Sequence, residues 1–202
     1  SRVQDPYSLR CMPQVHGAVS DALEYALRVV ETEMDSVTDN PILAGGAVLS
    51  GGNFHGQALS MAYDHAALAM TVLGGISERR IFQLVSGQAP RLSPFLAHDP
   101  GLESGYMMLQ VTAAALASEN KVLAHPASAD SIPTSAFKED FVSMGMGAAL
   151  KFRQITVNSA QIAAIELLAA AQGLEAHKPL KPGKGVAKAF SLLRAEVPAS
   201  RG

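Results

Sequence analysis

A tyrosine and an arginine stand three residues apart near the amino end, in Gln4-Asp5-Pro6-Tyr7-Ser8-Leu9-Arg10. One helical turn would bring residues at that spacing onto one face. An arginine grips a carboxylate through two parallel N–H donors. A phenol can accept a proton when neighbouring positive charge or donors favour its ionised form. Tyr7 and Arg10 together would therefore suit removal of a proton from a substrate that carries a carboxylate. On these residues alone, a surface tyrosine and arginine in an ordered loop is the competing reading.

Two further stretches could carry chemistry. In Ser50-Gly51-Gly52-Asn53-Phe54-His55-Gly56 the glycines permit close backbone approach. Asn53 is placed to cap the helix that follows, and Phe54 to pack against a ligand or the core. The glycine spacing is not that of a phosphate-binding loop. Lys138-Glu139-Asp140 is predicted at the start of a helix, where the dipole favours acidic residues. Glu139 could there accept a hydrogen bond from a substrate side chain, or simply settle the helix end. The histidines (16, 55, 65, 98, 125 and 177) form no ligand pair with a third partner, so no metal site is expected. The one cysteine, Cys11, has no neighbouring histidine and reads as a small hydrophobe. It excludes an internal disulfide and suits a reducing, cytoplasmic compartment.

Helices must position these groups. Val15, Val19, Leu23, Leu27, Val30 and Met34 recur at spacings of three and four, which predicts a helix from Pro13 that ends near Ser36 to Pro41, where Thr38-Asp39-Asn40-Pro41 is rich in turn residues. The Gly-rich stretch 42–57 allows a short hairpin. A long helix is predicted over His55 to Leu84, with Leu59, Ala62, Ala66, Ala69, Leu73 and Ile76 on one face. Prolines make 90–100 a loop. Further helices are predicted over Gly101–Ala124, over Phe141–Gln172 with Gly173 as its stop, and over Val186–Glu196. The fold class is therefore all-α: long, roughly antiparallel helices in a bundle. Residues 1–57 would carry loops and one helix, 58–175 the bundle helices and 176–202 a C-terminal extension.

Composition narrows the partners. Hydrophobic residues make up 48% and charged residues 17%, too apolar for disorder and consistent with buried helix–helix surface. Net charge is −2 with no basic stripe, which argues against nucleic acid. The mildly basic stretch Lys178 to Lys188 holds Pro179, Pro182 and Gly183 and reads as a solvated connection. The most apolar run, Tyr106 to Ala117, is interrupted by Gln110 and is far short of the ~20 residues a bilayer span needs. It reads as a buried helix, and no membrane partner is expected.

Several blocks stand in a telling order: Val3-Gln4-Asp5-Pro6-Tyr7-Ser8-Leu9-Arg10-Cys11, Pro13-Gln14-Val15, Thr38-Asp39-Asn40-Pro41, Ser50 through Gly56, Asp130-Ser131-Ile132-Pro133-Thr134-Ser135, and Glu139-Asp140 with Val142-Ser143-Met144-Gly145. Together they resemble the histidine/phenylalanine ammonia-lyase family. The resemblance implies non-oxidative loss of ammonia from an amino acid, leaving an α,β-unsaturated acid. It implies a methylidene-imidazolone electrophile made from an internal Ala-Ser-Gly, no metal, and a homotetramer whose sites draw on several subunits. It gives Tyr7 the role of base, or of helping to place it. It sets Arg10 on the substrate carboxylate, Gln4 and Phe54 beside the electrophile, and Glu139 opposite the substrate side chain. A carboxylate at Glu139 is similar to the histidine branch, where it can meet an imidazole. Phenylalanine and tyrosine lyases usually carry an amide there. The implied reaction is L-histidine to urocanate and ammonia, the first step of histidine catabolism. The alternatives are a phenylalanine or tyrosine lyase, or a non-catalytic helical oligomerisation module. No Ala-Ser-Gly occurs in the 202 residues. The expectation is that a missing N-terminal half supplies it and that this stretch alone is inactive.

Overall fold

A computed structural model describes residues 3–200. They form helices α1 (Tyr7–Arg10), α2 (Met12–Met34), α3 (Gln57–Val85), α4 (Met107–Leu123), α5 (Gly145–Glu175) and α6 (Lys184–Glu196), with strands β1 (Ile42–Ala44) and β2 (Ala47–Leu49) between α2 and α3. The fold is all-α, as the periodicity requires. The strands pair antiparallel, Ile42 with Leu49 and Ala44 with Ala47. Gly45 and Gly46 make the two-residue turn at φ of 58° and 80°, the backbone that matches strand twist and that side chains resist.

Among the described residues the chain falls into two compact units: 3–11, 74–118 and 158–200 in the first, 12–73 and 119–157 in the second. In the first, Ile81 of α3, Ala113 and Ala117 of α4, and Ile162 and Ile165 of α5 form one apolar cluster. Val85, Tyr106 and Ala169 join Leu92 and Leu96 in the next. Going from one cluster to the other, numbering rises along α3 and α5 and falls along α4. So α4 runs antiparallel to the other two. In the second unit Ala26 of α2 packs on Ala62 and Ala66 of α3, with Leu23, Val29 and Phe152 around them. Alanine at these contacts lets backbones approach closely, and each methyl still leaves water.

A polar network crosses the first unit's core. Arg80 of α3 binds Glu166 of α5 through two nitrogens, one of them Nη2 at 2.8 Å from Oε2. Ser77 Oγ donates to the same carboxylate at 2.5 Å. Glu78, 1% exposed, accepts from Gln110 Nε2 at 3.2 Å and is paired with Arg79. Buried charges are tolerated only when satisfied in this way.

Several expectations are corrected. The helix predicted from Gly101 starts at Met107. Gly101 and Gly105 sit at φ of 107° and 48°, and Glu103 turns back to accept from the amides of His98 and Asp99 at 3.0 and 3.1 Å. A Cβ on Gly105 would lie 2.5 Å from the Phe95 carbonyl oxygen, so the chain turns there instead of coiling. Nor is the run from Tyr106 to Ala117 wholly buried, since Met108 and Val111 are 60% and 48% exposed. The helix predicted from Phe141 starts at Gly145, because the Ser131 hydroxyl accepts from Val142 N at 2.9 Å and donates to Val142 O at 3.1 Å. That pairing spends the backbone groups a helical start would use. Gly173 does not end α5, which runs on to Glu175. The glycine instead admits Leu92, whose methyls lie 3.6 and 3.7 Å from a built Cβ. His177 Nδ1 donates to Gly173 O at 2.9 Å, satisfying a last-turn carbonyl.

Candidate functional site

Two groups of predicted site residues take shape, one in each unit. In the first unit Pro6 opens α1, a single turn, and its carbonyl accepts from the amides of Leu9 and Arg10, both at 3.0 Å. Tyr7 and Arg10 therefore share a face. The Arg10 guanidinium carbon lies 4.8 Å from the centroid of the Tyr7 ring. Arg10 Nε donates to Asp5 O at 3.2 Å, which orients the planar fork. Nη1 and Nη2 make no hydrogen bond among the described residues. Tyr7 is 71% exposed, and Gln4 and Arg10 are exposed as well. Ser8 points the other way and is buried, its carbonyl 3.5 Å from Arg80 Nη1. A phenol and a cationic fork side by side on open surface can face one small anionic molecule.

In the second unit Phe54, His55, Lys138, Glu139, Asp140 and Phe141 line a cavity of about 380 Å³. Phe54 is 53% exposed, so its ring is available on one face. Glu139 does not stand at a helix start. It lies in a loop six residues before α5, and the helix-end explanation for its charge falls. Thr134 N donates to Glu139 O at 2.9 Å and Glu139 N to Thr134 O at 3.4 Å. Thr134 Oγ1 donates to Glu139 Oε2 at 2.7 Å. His55 Nε2 donates to Phe141 O at 2.9 Å, and the two rings stack with centroids 6.2 Å apart. Asn53 caps nothing. It lies four residues before α3, and its Nδ2 donates to Val37 O at 2.7 Å, tying the glycine loop to the end of α2. Asn40 Oδ1 accepts from Ser50 Oγ and Gly51 N at 3.1 and 3.0 Å, which holds the other end of that loop.

Tyr7 is thus brought to Arg10, and Phe54 to Glu139. Gln4 is exposed and joins neither group by a described bond. Sequence reasoning missed Thr134 and Ser131 as parts of the second group. The sequence places His55 in the block beside Phe54 but assigns it no bond to the Phe141 segment, and the two hydroxyls lie inside a recognised block with nothing local to single them out. No group of three metal-ligating side chains occurs among the described residues. No helix there is long and apolar enough to cross a membrane.

A larger cavity, about 640 Å³, lies in the first unit and is lined by Arg91, His98, Tyr106, Gln172 and Glu175 among others. None of the predicted site residues lines it. Burial pushes the Tyr106 phenol up, against a smaller opposing pull from Arg194. Bonds from Lys178 and Arg194 hold the Glu175 carboxyl below the usual carboxylate range.

Comparison with known proteins gives a consistent result. The profile of the aromatic amino acid lyase family matches residues 1–195. A histidine ammonia-lyase of Myxococcus xanthus is 54% identical over 200 residues, 98% of this chain and 39% of that protein. The crystal structure of histidine ammonia-lyase from Trypanosoma cruzi superposes with a TM-score of 0.93 at 47% identity, over 97% of this chain and 39% of that one. A phenylalanine aminomutase of Pantoea agglomerans also reaches 0.93, at 31% identity over 99% of this chain and 40% of that one. The chain spans about 39% of the length of the curated relatives it matches.

Proposed function

We propose, because this chain belongs to the aromatic amino acid lyase family, that the whole protein removes ammonia from L-histidine to give urocanate, the first step of histidine catabolism. The observation that carries the reading is the exposed pair on α1, a guanidinium 4.8 Å from a phenol ring with two nitrogens free of described hydrogen bonds. Arg10 binds the substrate carboxylate through those two nitrogens. The same contact presents the β-carbon to Tyr7, which takes its proton as general base or helps to place that base. The electrons of the broken C–H bond become the new C=C bond. The C–N bond breaks, and nitrogen leaves with its pair as ammonia.

Glu139 accepts a hydrogen bond from the imidazole N–H, which is the reason to place the protein on the histidine branch. A methylidene-imidazolone formed from an Ala-Ser-Gly outside these 202 residues supplies, when present, the electrophile that makes the amine a competent leaving group. The residues here fit such a planar group. Phe54 offers a half-exposed ring, and a Cβ built on Gly51 or Gly52 meets nothing within 4 Å. Phe54 would pack against it, and Gln4 would help to order it, as the family resemblance implies. The reading needs no metal.

Exposed apolar residues along α5, such as Met146, Leu150 and Val157, support assembly into a homotetramer through helix faces. The single cysteine supports a cytoplasmic setting. The test is to supply the full-length protein with L-histidine and with L-tyrosine and to follow the absorbance of urocanate and of coumarate. Urocanate should form at the higher kcat/KM. Faster coumarate formation would move the protein to the other branch.

A further inference from the structure

Glu139 is an exposed carboxylate on a loop, where nothing in the regular structure restrains its side chain. An unrestrained glutamate loses several rotamers when a ligand fixes it, which weakens the contact it makes. The loop around it is built against that loss. Thr134 and Glu139 pair as an isolated antiparallel bridge through both backbones. Between them Ser135, Ala136 and Phe137 all take left-handed backbone, with φ of 50°, 54° and 64°. Three successive residues with Cβ in that region are costly and persist only where surrounding bonds determine them. Here those bonds are the Thr134–Glu139 bridge and the two-way contact of the Ser131 hydroxyl with Val142 just beyond. The result brings residues 134 and 139 face to face, and Thr134 Oγ1 donates to Glu139 Oε2 at 2.7 Å. Glu139 Oε1 has no hydrogen bond among the described residues.

We infer that Thr134 is a positioning residue for substrate selection: its hydroxyl occupies one oxygen of Glu139, fixes the carboxylate's rotamer, and leaves the other oxygen for a hydrogen-bond donor on the substrate side chain. The strained turn is what holds hydroxyl and carboxylate together. The inference rests on the reading of Glu139 as the group that meets that side chain. A threonine suits the task because its β-branch restricts the hydroxyl to few rotamers. The contact formed by Glu139 is the same in ground and transition states, so its loss falls on KM more than on kcat.

The test uses the full-length protein with L-histidine. Thr134→Val keeps the branched shape and removes the hydroxyl. Thr134→Ser keeps the hydroxyl, and Thr134→Ala removes it without crowding the loop should the valine disturb folding. Thr134→Val and Thr134→Ala should each raise KM several-fold, up to roughly tenfold, the cost of ordering one rotamer-rich side chain on binding, with kcat changed less than about twofold. Thr134→Ser should return KM to within about twofold of the parent. In a Glu139→Ala background, where KM is already raised, Thr134→Val should add nothing. An unchanged KM in Thr134→Val and Thr134→Ala beside a raised KM in Glu139→Ala overturns the inference and leaves the role of Glu139 standing. A Thr134→Val effect that persists undiminished in the Glu139→Ala background assigns Thr134 to loop folding alone and also overturns it. An unchanged KM in Glu139→Ala overturns both readings.

Discussion

Arg10→Lys tests the chemistry of α1 most directly. The Arg10 fork is oriented from behind, by Nε on Asp5 O at 3.2 Å and by the Tyr7 ring 4.8 Å from its carbon. That leaves Nη1 and Nη2 as a parallel pair for a carboxylate. Lysine keeps the charge but offers a point donor that cannot span both oxygens. One charge-assisted hydrogen bond is lost, about 1.5–3 kcal/mol. The tether to Asp5 is lost too, but it is present with and without substrate and largely cancels. At 1.4 kcal/mol per factor of ten, KM for the amino acid should rise about 10- to 150-fold. Because the carboxylate is gripped equally before and during reaction, kcat should stay within about threefold. Steady-state kinetics on the full-length protein, with circular dichroism to confirm the helices, gives both constants. A KM within twofold of the parent together with a collapsed kcat would refute the reasoning. It would show that Arg10 acts on the proton transfer and not on the substrate carboxylate.

Other outcomes follow from the same geometry. Tyr7→Phe removes only the hydroxyl from an exposed ring, so the fold should persist while kcat falls at least ~100-fold, the usual scale for a general base. Near-normal turnover would free Tyr7 of that role. In the first unit's core, Glu166→Leu strands the Arg80 guanidinium and should cost about 3–5 kcal/mol in urea unfolding at fixed protomer concentration. Arg80→Met combined with Glu166→Leu should recover most of that loss, and a double variant no better than the worse single one would contradict the pairing. Lys178 and Arg194 lower the folded-state pKa of Glu175. Its contribution to stability is therefore present above the unfolded carboxylate value, about 4.3, and is lost as pH falls through the lower folded value. Glu175→Gln should flatten the fall in urea midpoint below pH 5, and an unaltered slope would show that the bonds from Lys178 and Arg194 do not survive in solution.

The helices were legible because their signals are local. Apolar residues at spacings of three and four from Val15 to Met34 all lie within α2, which starts one residue before the predicted Pro13 and ends at Met34, short of the predicted stop near 36–41, since a helix buries a stripe set by its own period. Gly45-Gly46 between short apolar runs marked the hairpin for the same reason: the turn needs the backbone only glycine adopts freely. The Tyr7–Arg10 pairing followed from a spacing of three. Family blocks then named Phe54 and Glu139, which no periodicity distinguishes.

What the sequence determined by itself was thus the all-α class, the hairpin and the shared face of Tyr7 and Arg10, because each depends on residues within a few positions of one another. Tertiary structure decided where α4 and α5 begin and which polar groups join the second group. Whether a helix starts at Phe141 depends on the Ser131 hydroxyl, which takes the Val142 amide eleven residues away. Whether Asn53 caps α3 depends on the Val37 carbonyl sixteen residues back. The same holds for the core: Glu78 is buried beside Gln110 of another helix, a partner no local pattern reveals. A polar side chain takes whichever unsatisfied group the packing brings within reach, and that is known only once the chain has folded.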